Sequence, residues 1–176
     1  MALFGKDKIT PAEIFANGDA VWPSQRAVEE DWWPTISIGE VDPSIVDKVK
    51  WEIILLMLFG VDFAIFIAFE KDESVRDALR DELQLYAEAH FSAISDEIPN
   101  RQAEYGKAFA EHPTNIGQTP SYSIAKRFCQ ISGLDYGRDY IDPVFLMGAT
   151  GLYSNYLVSV KYFFDEISKS YKVVAR

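Results

Sequence analysis

"IILLMLFGVDFAIFIAF", residues Ile53 to Phe69, is the most apolar run in the chain, and a single carboxylate, Asp62, sits inside it. A helix from Trp51 to Phe69 would be about 28 Å long, close to the hydrocarbon thickness of a bilayer. Its twelve Ile, Leu, Val and Phe residues would gain about 4 to 7 kcal/mol on insertion, against a cost of about 3 kcal/mol for Asp62. Hydropathy alone therefore permits a membrane span. The flanks argue against one: Lys48 and Lys50 on one side are balanced by Lys71, Arg76 and Arg80 on the other, so no positive-inside bias orients the segment. A helix apolar on every side is also what the centre of a helical bundle requires. The run is read as a buried core helix, with membrane placement as the disfavoured alternative.

Composition points the same way. At 176 residues the chain has the size of one domain and can bury roughly 70% of its unfolded surface. Hydrophobic residues make up 48% and aromatics 14%, enough apolar area to offset chain entropy. The formal charge of -10, from 17 Lys and Arg against 27 Asp and Glu, repels phosphate backbones and anionic headgroups, so nucleic acid is not an expected partner. One cysteine, Cys129, excludes an internal disulfide and fits a reducing compartment. The N-terminal "MALFGKDKITPAEIF" has no apolar stretch and cleavage site of a secretory signal, and a cytoplasmic location is expected. Leu3 to Lys8 reads as a frayed polar leader.

Four capping residues precede proline: Thr10-Pro11, Asp42-Pro43, Thr119-Pro120 and Asp142-Pro143. The side-chain oxygen accepts from free amides of the first turn, and proline has no amide to satisfy, so all four predict helix starts. Glu13 completes a capping box with Thr10. From Asp42 the pattern is helical to about Glu70. A second helix carries Val75, Leu79, Leu83, Tyr86, His90, Ile94 and Ile98 on one stripe, with Arg76, Arg80, Asp81, Gln84 and Glu88 towards water, and is expected to end at Pro99. Helices follow from Asn100 to about Glu111, from Pro120 to Ser132 with Gly133 as terminator, and from Pro143 to about Tyr171. Only "PTISIG", residues 34–39, alternates as a strand. The expected architecture is all-α: one domain over residues 1–176, a bundle of five or six helices from residue 42 onward. A short helix and an irregular Trp-containing segment over residues 1–41 pack against it.

Asp62 poses the sharpest chemical question. Its helical neighbours are Leu55, Leu58, Ile65, Phe66 and Phe69, and an unpaired buried carboxylate costs several kcal/mol, so it needs a partner. His90 is the candidate partner, with Tyr153 and Tyr156 as alternatives. A polar contact fixing helix register is the plain reading; a ligand pocket bounded by Asp62, His90, Tyr153 and Tyr156, with Asp62 or His90 as weak catalytic candidates, is the sharper one.

Other chemistry is thin. Two histidines and one cysteine supply neither a zinc set nor a pair of Glu-x-x-His motifs, and Glu88/His90 and Glu111/His112 have the wrong spacing, so no metal or cofactor is expected. Ser123 and Lys126 match Ser-x-x-Lys without its companion motifs. "GATG", Gly148 to Gly151, falls within the last helix, where small residues let another backbone approach, in the monomer or across a dimer. Trp22, Trp32 and Trp33 either pin the irregular segment to the core or offer anchors to a partner. The resulting expectation is a helical protein that acts by protein–protein binding, as a homodimer or an accessory module, without catalysis. A small-molecule pocket or enzyme near Asp62 and His90 comes second, a membrane protein third.

Overall fold

The apolar run becomes the buried axis of a helical bundle. The computed structural model describes residues 6–18, 21–111, 119–136 and 140–174. In it, α4 (Val46–Ala68) is buried without interruption from Glu52 to Val61. Helices α5 (Glu73–His90), α6 (Ile98–Ala110), α7 (Pro120–Ser132) and α8 (Pro143–Ser170) surround it, with α7 between α6 and α8. Because neighbours cover every side of α4 from Glu52 to Val61, an apolar face in all directions is what its position demands there, while Phe66 and Ile67 near its end are exposed. The stretch Pro43–Ala68 is also long and apolar enough to cross a bilayer, and 67% of its most apolar window is buried inside the protein. The protein is an all-α bundle.

Gly60 lies where α4 packs against the α8 tyrosines. A Cβ there would stand 3.1 Å from the Tyr156 ring and 3.5 Å from that of Tyr153, so glycine lets the two long helices meet.

All four proline-marked starts carry a side-chain cap. Thr10 accepts from Glu13 N and forms the capping box that opens α1 (Pro11–Ala16). Asp42 accepts from Ser44 N at a 3-10 turn leading into α4, Thr119 from Tyr122 N, and Asp142 from Val144 N. Gly133, at φ 88°, closes α7 in the left-handed conformation that glycine adopts without strain.

Four local expectations are corrected. The second helix ends at His90 rather than at Pro99, which instead lies in the first turn of α6. Ile94 is buried in the intervening turn and Ile98 opens α6; the helical spacing of apolar residues carries on across the break, so periodicity cannot reveal it. "PTISIG" is helical: α3 (Trp33–Ile36) runs into a 3-10 turn, Ser37–Gly39. The segment expected to be irregular winds from α2 (Gln25–Ala27) through a π-helical turn, Val28–Trp32, into α3. Finally, Asp7 and Lys8 of the expected frayed leader belong to strand β1 (Asp7–Ile9), paired in parallel with β2 (Tyr171–Val173), while Leu3 to Gly5 lie outside the described residues.

Candidate functional site

The four residues expected to share a pocket do not come together. Asp62 leaves α4 towards α5, where the Arg80 guanidinium takes both carboxylate oxygens, Nε at 2.5 Å and Nη2 at 3.3 Å. Burial pushes the Asp62 carboxyl above its usual range, and the Arg80 charge and hydrogen bonds pull it back in part. Arg80 lies on the exposed face that its spacing predicts, and its long stem reaches back to the helix interface. His90 lies ten residues further along α5, about 15 Å of helical rise from Arg80. It is exposed, stacks on Tyr86 at 4.2 Å between centroids, and places Nδ1 2.8 Å from the Tyr86 carbonyl. At the end of its helix the ring folds back onto the carbonyl of the preceding turn rather than reaching a buried acid.

Tyr156 serves the N-terminal arm. Its hydroxyl donates to Val21 O at 2.8 Å, and Tyr86 donates to Pro23 O at the same distance. Trp22 is buried between them, stacked on Phe15 and donating Nε1–H to Phe15 O at 2.7 Å. Trp32 is buried edge-on against Tyr156, and Trp33 lies half-buried under the Lys50 ammonium, 4.9 Å from its ring centre. The tryptophans therefore hold the arm to the bundle, which corrects the alternative that they form an exposed anchor patch. Tyr153 is fully buried, and its hydroxyl has no hydrogen-bond partner among the described residues; burial alone pushes the phenol well above its usual range.

A buried polar cluster escaped the sequence reading. Glu52, 2% exposed, accepts from Arg101 Nε at 2.9 and 3.0 Å and from the Tyr105 hydroxyl at 2.5 Å. Arg101 and Tyr105 stand four residues apart on α6, so both reach one point on α4. Burial and the neighbouring carboxylate push the Tyr105 phenol far up. The signal was available: Glu52 has Val49, Leu55, Leu56 and Phe59 as helical neighbours, the same surroundings that singled out Asp62. The cluster is closed on all its partners and ties α4 to α6.

Ser123 and Lys126 line a cleft of about 450 Å³ between α6 and α7, beside Lys107, Tyr122 and the Arg127–Glu104 ion pair. Lys126 is exposed, outside the dry surroundings in which a lysine serves as a base. His112 falls outside the described residues. Among those described, no group of three His, Cys, Asp or Glu could hold a metal ion.

The most unusual surface is the outer face of α8. Val144, Met147, Val158 and Tyr162 are 45%, 74%, 67% and 66% exposed, and with Gly151 and Asn155 they follow helical spacing along one stripe. From Pro143 to Val160 the helix carries no charged residue, in a chain that is 25% charged. Of the two glycines noted in the sequence, Gly148 lies against Thr35, whose methyl would be 3.3 Å from a Cβ, whereas a Cβ on Gly151 would meet nothing within 4 Å among the described residues. The inner apolar face of α8 was legible; the outer one was obscured because the helix is apolar on both. No protein-family model, curated protein or solved structure matches this chain.

Proposed function

We propose that this protein acts by association with a protein surface, its own copy or a partner's, through the outer face of α8, and without catalysis. The observation that carries this reading is the uncharged, exposed apolar stripe from Val144 to Tyr162 on a chain of net charge -10. Exposed apolar side chains gathered on one face mark sites of association, and depletion of charge is the compositional mark of an interface core. The acidic remainder favours solubility and weighs against anionic lipid or nucleic acid as the partner. The second reading, a pocket at Asp62 and His90, loses support because each residue is engaged elsewhere.

Native mass spectrometry of the purified full chain tests the proposal, with Met147→Glu as the comparison. The expected result is an assembly larger than one chain, lost in the variant. A single chain that retains a small molecule in both forms would overturn it.

A further inference from the structure

The α8 stripe reads nearly the same in both directions, as a two-fold contact with a second copy requires. Val144 and Tyr162 are equidistant from the level of Tyr153, and so are Gly151 and Asn155; Met147 and Val158 depart from that midpoint by about half a residue's rise. When two such helices lie antiparallel with a two-fold axis at this level, Val144 of one copy meets Tyr162 of the other. Met147 meets Val158, and Gly151 meets Asn155. Every large apolar side chain then faces another, and the one residue without a side chain faces the one amide. An isologous contact needs this self-complementarity, whereas an unrelated partner does not.

We infer that the outer face of α8 is a homodimer interface, formed with a second copy of this chain in antiparallel register about Gly151 and Asn155. This rests on the association reading above and specifies its partner.

Charge and area both favour a second copy. Two molecules of net charge -10 repel across most of their surfaces, and a face without ionised groups is where they can meet at least electrostatic cost. The exposed apolar residues of the stripe, with Ile38 standing out from the 3-10 turn packed beside α8, present roughly 600 Å² a side, most of the ~800 Å² per partner that a stable interface buries. At Gly151 the absent side chain lets the two axes approach at the short end of the 8–10 Å range of helix packing. A lipid surface is the poorer fit: the stripe is narrow, contains Asn155, and has no Lys or Arg along its length until Lys161.

Sedimentation velocity on the full chain and two single variants tests the register. Met147→Lys and Val158→Glu lie at strongly exposed positions, so both should fold, as circular dichroism would verify. Wild type should sediment as a dimer. Each variant alone would bury two unpaired charges per dimer and should dimerise at least about tenfold more weakly. Mixed in equal amounts, they should recover dimerisation to within a few-fold of wild type, because position 147 of one chain then faces position 158 of the other. If wild type stays a single chain, both this inference and self-association through α8 fall. If wild type dimerises and the variants do so equally well, or the variants weaken and the mixture does not recover, the association survives but the antiparallel register is wrong.

Discussion

Tyr153 and Tyr105 are both fully buried tyrosines, yet their hydroxyls should have opposite effects on stability. The Tyr105 hydroxyl donates to Glu52, which also holds the Arg101 guanidinium, while that of Tyr153 has no partner among the described residues. A hydrogen bond to a charged group contributes about 1.5 to 3 kcal/mol, whereas an unsatisfied buried hydroxyl only adds a desolvation cost. Tyr105→Phe should therefore lose about 2 kcal/mol in denaturant unfolding, and Tyr153→Phe should range from neutral to about 1 kcal/mol more stable. A destabilised Tyr153→Phe would reveal a partner for that oxygen. Asp62 gives a pH test. Its carboxyl is raised in the folded state, first by burial, with Arg80 opposing, so the folded protein binds the proton more tightly than the unfolded chain. Stability should be highest below the unfolded carboxyl's value of about 3.9, as far as this group is concerned, and fall as pH rises through the raised folded value. Asp62→Asn should flatten that fall. Near neutral pH it should change stability by less than about 1 kcal/mol, because Arg80 is exposed enough to be resolvated. The need for a partner at Asp62 was legible from its apolar neighbours; the partner was not. Sequence spacing assigns Arg80 by the direction of its Cβ, and a four-bond stem turns the guanidinium back from there.

Glycines test the element scale, because α4 and α8 each carry one where a Cβ has a different environment. On Gly151 it would meet nothing, and on Gly60 it would press on the Tyr156 ring at 3.1 Å. Alanine gains about 1 kcal/mol over glycine in a helix interior. Gly151→Ala should keep most of that gain in chemical denaturation below the dimerising concentration. Gly60→Ala should lose it or go further, because shifting Tyr156 also strains its bond to Val21. Equal gains at both positions would mean that α4 and α8 are looser than their packing implies. Element starts were the most legible feature of the sequence, since a capping side chain followed by proline acts through local hydrogen bonding alone: Thr10, Asp42, Thr119 and Asp142 all cap. Pro99 was misread because proline fits a first turn as well as it ends a helix. The pairing of β1 with β2 was out of reach for a different reason. Each strand is three residues long, and they come from opposite ends of the chain, so no local pattern records the match.

At the scale of the whole molecule the governing quantity is charge. The surplus of ten negative charges is spread over a fold whose buried centre is nearly uncharged, with Glu52 and Asp62 each held by an arginine. Self-repulsion among the surface carboxylates destabilises the compact chain, and repulsion between copies opposes any dimer. Raising ionic strength from about 0.01 M to 0.15 M shortens the screening length from about 30 Å to 8 Å, which relieves both. Salt also weakens exposed pairs such as Arg26–Glu30 and Lys169–Glu166, but such pairs contribute at most about 1 kcal/mol each, while the partly buried arginine pairs are screened less. The melting temperature should therefore rise with salt, and dimerisation through the neutral face of α8 should tighten by several-fold over the same range. Sedimentation and thermal unfolding in parallel salt series measure the two effects separately. An association that loosened with salt would require opposite charges across the contact. It would place the interface on a charged surface such as the α6–α7 cleft rather than on the stripe from Val144 to Tyr162.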